Sequence, residues 1–93
     1  MRLQGKVAVV TGGSRGVGRA VCLAFAREGA DVVVNYATRL QAAEEVVREV
    51  EKMGRKAVAV GADVASWQGA ESVVKAAIDN FGKIDCLLYT SPS

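Results

Sequence analysis

The sequence contains no histidine, and its two cysteines, Cys22 and Cys86, lie far apart along the chain. Structural zinc sites are built from clustered cysteines and histidines, so the sequence predicts no metal site. The absence of histidine also excludes the Ser-His and Cys-His pairs that activate many catalytic nucleophiles. We therefore expect both cysteines to be buried, unbridged thiols with a packing role.

Long apolar runs are absent as well. The apolar runs have the length of strands, well below the roughly 20 residues that a membrane-spanning helix needs. The first residues, Met1 to Lys6, lack the apolar stretch of a secretory signal. The formal charge of +2 arises from 12 basic and 10 acidic residues with no basic cluster, which argues against a nucleic-acid partner. These absences favour a cytoplasmic protein that binds neither membranes nor nucleic acid.

The apolar residues that are present form short β-branched runs that alternate with helical patterns. Such alternation with short connections predicts a parallel sheet with right-handed crossovers and helices on both faces. The expected fold class is α/β, an incomplete Rossmann-type doubly wound sheet with the element sequence β-α-β-α-β-α-β and the strand order 3-2-1-4. The predicted strands are Val7 to Val10, Asp31 to Asn35, Ala57 to Val60, and Ile84 to Leu88.

Three helices are predicted between the strands, each from apolar residues at helical spacing. Gly29, Gly54 and Gly82 are expected to end them, and Ser66 can cap the start of the third. The faces expected to be buried are Val17, Ala20, Val21 and Ala24 in the first helix; Ala43, Val46, Val47, Val50 and Met53 in the second; and Ala70, Val73, Val74, Ala77, Ile78 and Phe81 in the third.

The most informative segment is residues 11–18, which read Thr-Gly-Gly-Ser-Arg-Gly-Val-Gly between the first strand and the first helix. A sharp turn there favours Gly12, a close approach of the backbone to a pyrophosphate favours Gly16, and tight packing of the helix favours Gly18. The helix start would then direct its amides and dipole at the phosphates. A plain strand-to-helix turn is the alternative, but the βαβ context favours dinucleotide binding. No Lys-Ser/Thr follows the last glycine, so the segment is not a P-loop.

The spacing Thr-Gly-x-x-x-Gly-x-Gly resembles the short-chain dehydrogenase/reductase family. The resemblance runs from Leu3 to about Asp85 and includes Gly5-Lys6-Val7, Asp63-Val64 and the Phe-Gly-Lys-Ile-Asp segment at 81–85. The segments Thr-Gly-Gly-Ser-Arg-Gly and Val-Val-Asn-Tyr-Ala are most similar to bacterial 3-oxoacyl-[acyl-carrier-protein] reductases. Sugar and steroid dehydrogenases share much of the pattern. The resemblance implies an NADPH-dependent reductase of a carbonyl, with a role in fatty acid biosynthesis and often a homotetrameric assembly.

The resemblance also implies a set of cofactor-binding residues, with the glycine segment at the phosphates and the residues after the third strand at the adenine. The expected set is Gly12, Ser14, Arg15, Gly16, Val17, Gly18, Asn35, Tyr36, Asp63 and Val64.

The end of the second strand bears on the choice between NAD and NADP. An acid there would bind the ribose 2′-hydroxyl and repel a 2′-phosphate. This chain has Asn35 and Tyr36 instead, with no acid before Glu44. Arg15 lies where a guanidinium can bond to the phosphate, and Arg39 is a second candidate. The alternative is that both arginines are solvated loop charges. We predict NADP(H) as the cofactor.

The pattern of the family breaks off after Asp85, which divides the chain into a cofactor-binding part at 1–85 and a tail at 86–93. The family continues with Asn-Asn-Ala-Gly and later supplies a catalytic Ser and Tyr-x-x-x-Lys, none of which occurs here. No catalytic residue is therefore assigned, and the 93-residue chain is predicted to be inactive. The tail matches one reading frame of a common transposase sequencing adapter, so we expect it to be non-native; a frameshift or degenerate gene is the alternative.

Two other function classes remain open from the sequence. One is a non-catalytic NADP(H)-binding module, for which a complete gene would also lack the catalytic set. The other is a methyltransferase that uses S-adenosylmethionine, but such enzymes usually have an acid at the end of the second strand, and Asn35 argues against it.

Overall fold

The computed structural model describes residues 3–12 and 16–89. Strands and helices alternate along the chain, as the hydrophobic pattern predicts. The elements are β1 (Val7–Thr11), α1 (Gly16–Arg27), β2 (Asp31–Tyr36), α2 (Leu40–Lys52), β3 (Ala57–Gly61), α3 (Trp67–Phe81) and β4 (Cys86–Tyr89).

The four strands form one parallel sheet in the order β3-β2-β1-β4, which confirms the predicted topology. Strand β1 lies at the centre, where Ala8 pairs with Val32 on one side and with Cys86 on the other. All five residues of β1 are buried because helices cover both faces of the sheet there. A continuous run such as Val7 to Val10 is typical of this environment.

Side chains that alternate along the strands supply two separate cores. Val10, Val32 and Val34 point to the face covered by α1 and α2, where Val46 and Val50 pack against them. Val9 and Val33 point to the opposite face and pack against Val73 and Ala77 of α3. Helices α1 and α2 therefore lie on one side of the sheet and α3 lies on the other.

The predicted buried face of α1 is wrong in most positions. The helix buries Gly18, Cys22 and Ala26, whereas Val17 is 73% exposed and Ala20 and Ala24 are also exposed. Nearly all of α1 is apolar, so the helical period alone fits several faces equally well. The face with small side chains was selected because Gly18 and Ala26 allow the helix to lie close to the sheet. Val21 is half-buried against this core, in partial agreement with the prediction.

The other two helices agree better with their sequence patterns. Helix α2 buries Ala43, Val46 and Val50, with Val47 and Met53 half-buried against them. Helix α3 buries Val73 and Ala77 but leaves Val74 and Ile78 more than 40% exposed.

Both predicted ends of α3 are confirmed. The Ser66 hydroxyl accepts a hydrogen bond from the Gly69 amide at 3.0 Å, which caps the start of the helix. At the other end Gly82 adopts a left-handed φ of 80°, and its amide donates to the Ile78 carbonyl at 2.8 Å.

The last strand is shifted relative to its prediction. It spans Cys86–Tyr89 instead of Ile84 to Leu88, because Asp85 makes the first contacts with β1 and Ile84 packs beneath α3. Cys86 therefore lies on an edge strand and is only half-buried, so the expectation of burial is wrong for it and confirmed for Cys22. No helix within the described ranges is long and apolar enough to cross a membrane.

Candidate functional site

The candidate site lies at the edge of the sheet where β1, β2 and β3 end. Parallel pairing brings Thr11, Tyr36 and Gly61 to this edge, with Tyr36 directly opposite Gly61. Ligands of open α/β sheets bind outside the carboxyl ends of the strands, at the point where the order of connections reverses. In this sheet the reversal falls between β1 and β4, next to the segment that leads from β1 into α1.

Two glycines of the segment between β1 and α1 have positive φ values. Gly12 has a φ of 65° and Gly16 a φ of 61°, a region in which an L-residue with a side chain is strained. A Cβ added at Gly16 would meet no atom within 4 Å, so the space in front of this position is open. Gly18 is buried one turn into α1, as expected for the glycine that packs the helix closely.

The start of α1 is exposed and electrostatically suited to an anion. Its first turn contains no acidic residue, and Val17 is 73% exposed there. The amides at a helix start lack partners within the helix, and the helix dipole adds positive potential. Both features favour a negative charge near this end of α1. Ser14 and Arg15, two of the residues expected at the phosphates, lie outside the described residues.

Asn35 is placed at the site edge, but its side chain is used within the protein. It is only 2% exposed. Its Nδ2 donates to the carbonyls of Val60 at 3.1 Å and Ala62 at 3.2 Å, and its Oδ1 accepts from the Gly12 amide at 3.3 Å. The sequence pattern gave no signal for this arrangement, because the partners lie on two other strands.

Tyr36 points to the opposite face of the sheet from Asn35, since successive strand residues alternate. Its ring lies across Gly61, where an added Cβ would come within 2.8 Å of Cζ and the hydroxyl oxygen. Gly61 thus leaves the space that the Tyr36 ring occupies.

The next candidate along the chain, Arg39, is exposed at the N-cap position of α2 and makes no side-chain capping bond there. No acid occupies the end of β2.

Asp63 and Val64 lie in the turn between β3 and α3. The Asp63 carboxylate accepts from the Ala65 amide at 2.9 Å, and its carbonyl accepts from the Ser66 hydroxyl at 2.9 Å. This turn rests directly on α3, because a Cβ at Gly69 would overlap the Asp63 carbonyl. Gly69 is a residue that sequence reasoning missed, since it reads as an unremarkable helix position.

A small apolar cavity adjoins this turn on the α3 side of the sheet. It measures about 130 Å³ and is lined by residues that include Thr11, Val64, Val73, Leu87 and Tyr89. Val64, in the turn after β3, thus lines the same cavity as residues of β1 and β4, between which the strand order reverses. Hydrogen bonds of the Asn35 side chain bring Gly12, Asn35 and Ala62 together at this edge of the sheet. Tyr36 and Gly61 contact each other at the same edge, on the opposite face of the sheet.

Comparison with known proteins identifies close relatives. A sequence model of the short chain dehydrogenase family matches residues 6–91. An uncharacterized oxidoreductase of Methylorubrum extorquens is 48% identical over 90 residues, which cover 97% of this chain and 36% of that protein. A hydroxynaphthalene reductase of Aspergillus fumigatus is 42% identical over 89 residues, which cover 96% of this chain and 33% of that protein.

Solved structures show the same likeness. The crystal structure of a short chain dehydrogenase from Burkholderia cenocepacia, in complex with NADP, superposes with a TM-score of 0.90 at 42% identity. That superposition covers 94% of this chain and 36% of the other. The chain therefore spans about a third of the length of the relatives it matches.

Proposed function

This chain belongs to the short-chain dehydrogenase family, and we propose that it is the nucleotide-binding part of an NADP(H)-dependent oxidoreductase that reduces a carbonyl. The observation that carries the proposal is the geometry between β1 and α1. Two glycines with positive φ, an open space in front of Gly16 and an acid-free helix start lie together at the carboxyl edge of the sheet. That combination suits the pyrophosphate of a dinucleotide.

The chain's residues would hold the adenosine half of the cofactor. Gly12, Gly16 and Gly18, with Ser14, would serve the pyrophosphate, Arg15 would serve the 2′-phosphate, and the exposed first turn at Val17 would present its amides to the pyrophosphate. Tyr36 would border the adenosine ribose, and Asp63 with Val64 would border the adenine. The bound cofactor would supply a hydride to the carbonyl carbon of the substrate.

The choice of NADP over NAD follows from charge at the end of β2. Tyr36 stands there in place of an acid, and the exposed Arg39 follows three residues later. A 2′-phosphate would meet no repelling carboxylate, and Arg15 and Arg39 can attract it. The relative from Burkholderia cenocepacia was solved with NADP, which supports the same choice.

We further propose that the full-length protein is a cytoplasmic homotetramer that catalyses 3-oxoacyl-[acyl-carrier-protein] reduction in fatty acid biosynthesis. This proposal rests on the segments at 11–16 and 33–37, which are similar to reductases of that class. A different substrate occurs among the relatives, as the name of the hydroxynaphthalene reductase shows. The Tyr-x-x-x-Lys of the family mechanism does not occur in these 93 residues, so we assign no catalytic residue within them.

We also propose that residues 86–93 are a non-native tail, because Asp85 is not followed by the Asn-Asn-Ala-Gly of the family; the match to the family model itself continues to residue 91. Sequencing the source DNA beyond the codon for Asp85 tests this directly. A continuation into Asn-Asn-Ala-Gly supports the proposal, whereas the same eight residues in an independent clone contradict it.

Titration of the chain with NADPH and NADH tests the cofactor assignment. We expect NADPH to bind more tightly, and Arg15→Gln to weaken NADPH about tenfold while leaving NADH nearly unchanged, because only NADPH carries the 2′-phosphate. Arg48→Gln, which removes an exposed cation from α2, is the matched control and should change neither affinity. Equal or tighter NADH binding by the wild-type chain contradicts the assignment.

A further inference from the structure

The buried side chain of Asn35 connects parts of the chain that are distant in sequence. An asparagine amide offers two donor hydrogens and an acceptor oxygen, and here both ends are engaged. Nδ2 donates to Val60 and Ala62 at the end of β3, and Oδ1 accepts from Gly12 at the end of β1. A side chain on the central of these three strands thus links the loops that follow its two neighbours.

These two loops are the ones that the proposed cofactor would bridge. Gly12 begins the phosphate segment, and Ala62 immediately precedes Asp63 and Val64 at the adenine end. Strand β2 lies between β1 and β3, so the two strands that carry the loops exchange no ladder hydrogen bonds with each other. The Asn35 amide spans that gap at distances of 3.1 to 3.3 Å.

We propose that Asn35 is a positioning residue that fixes the separation between the phosphate loop and the adenine loop. The inference rests on the proposed function, and it assigns Asn35 a role other than direct contact with the cofactor. With 2% exposure and both amide atoms already bonded, the side chain is not available to a ribose hydroxyl. A ligand that spans both loops gains from their fixed distance, because less ordering is needed when it binds.

The chemistry of the amide is specific to this task. An aspartate of the same shape keeps an acceptor for the Gly12 amide but places a second oxygen against the carbonyls of Val60 and Ala62. A threonine suits the strand but is too short to reach both sets of partners. Asn35→Asp therefore disrupts the link to the β3 loop alone, and Asn35→Thr disrupts both links.

Amide hydrogen exchange without any ligand tests whether the link exists. In Asn35→Thr we expect the Gly12 amide to exchange about tenfold faster, since its acceptor is gone, while amides in the centre of α2 keep their wild-type rates. In Asn35→Asp the Gly12 amide should remain protected. The matched control is Asn80→Asp, which alters an exposed asparagine on α3 whose Nδ2 donates to the Ala76 carbonyl. Unchanged exchange at Gly12 in Asn35→Thr overturns the inference.

Ligand titration of Asn35→Thr tests the consequence for binding. We expect Asn35→Thr, which adds no charge at the end of β2, to raise the Kd for NADPH about tenfold but the Kd for adenosine, which does not reach the phosphate loop, by less than about twofold. A purely structural role would weaken NADPH and adenosine equally and would accelerate exchange throughout the sheet, and that result overturns the inference. So does an NADPH Kd within about twofold of wild type in Asn35→Thr. If the wild-type chain itself fails to bind NADPH, the proposed function is contradicted. If the wild-type chain binds NADPH and Asn35→Thr binds it equally well, only the role of Asn35 is contradicted.

Discussion

The carboxylate of Asp85 accepts a hydrogen bond from the Val7 amide at 2.8 Å, and the Asp85 amide donates to the Val7 carbonyl at 2.9 Å. This exchange joins the first residue of β1 to the residue that precedes β4. Lys83 lies 3.0 Å from the same carboxylate oxygen. The bond from Val7, with that from Lys83, holds the pKa of Asp85 below its usual value. The contact sets the register in which β4 joins the sheet, with Cys86 opposite Ala8.

The lowered pKa of Asp85 predicts how stability depends on pH. A group whose pKa is lower in the folded state stabilises the protein above its unfolded pKa and loses that contribution as pH falls through the folded pKa. Asp85→Asn should therefore lower the urea midpoint at pH 7, and the difference from wild type should shrink in acid below the ordinary aspartate pKa of about 3.9. Asp79→Asn, an exposed carboxylate on α3, is the control. A difference that stays constant with pH contradicts the prediction.

Two glycines with positive φ, one at the site and one far from it, allow the effect of backbone strain to be distinguished from the effect of cofactor contact. Gly16 at the site and Gly54 after α2 have φ values of 61° and 82°, and an added Cβ would meet nothing at either. Gly16→Ala and Gly54→Ala should therefore destabilise the fold by a similar amount, about 1 kcal/mol each. Only Gly16→Ala should weaken NADPH, because its methyl group occupies the open space before the phosphates. Isothermal titration of both variants with NADPH tests this prediction. Equal NADPH affinities would show that the phosphates do not bind in front of Gly16.

The contact between Tyr36 and Gly61 predicts a non-additive pair of substitutions. A methyl group at Gly61 would come within 2.8 Å of the Tyr36 ring, so Gly61→Ala should cost about 1–3 kcal/mol of unfolding free energy through overpacking. In a Tyr36→Ala background the same change should cost much less, since the ring is absent. Urea unfolding of the four chains gives the coupling. Additive effects on the unfolding free energy would show that the Tyr36 ring moves aside without destabilising the fold.

The two thiols should differ strongly in reactivity. Burial raises the pKa of the Cys22 thiol to about 12, while Cys86 is half-buried on the edge strand. At about pH 8 only about one Cys22 in 10,000 would be a thiolate, which is the reactive form. Iodoacetamide should therefore label the native chain once, at Cys86, and label Cys86→Ser hardly at all. Mass spectrometry after digestion reads the sites, and rapid labelling of Cys22 would show that α1 opens from the sheet.

Much of the architecture follows from local patterns that the sequence displays. Buried parallel strands produce continuous apolar runs such as Val7 to Val10. Gly82 ends α3 because it adopts the left-handed conformation that glycine favours. The strand order follows because right-handed crossovers between parallel strands leave few arrangements. The glycine spacing at 12, 16 and 18 likewise predicts the turn, because each position has its own steric requirement.

Contacts between distant residues were decided by the tertiary structure. The buried face of α1 depended on how closely Gly18 and Ala26 allow the helix to approach the sheet, since its sequence is apolar on nearly every side. The roles of Asn35, Gly61 and Gly69 depended on partners brought close by folding: the Gly12 amide, the Tyr36 ring and the Asp63 carbonyl. The sequence by itself determined the elements and their order because these follow from short-range periodicity. Only the folded chain determined which side chains connect the loops of the site, because hydrogen bonding and close packing depend on distances in space.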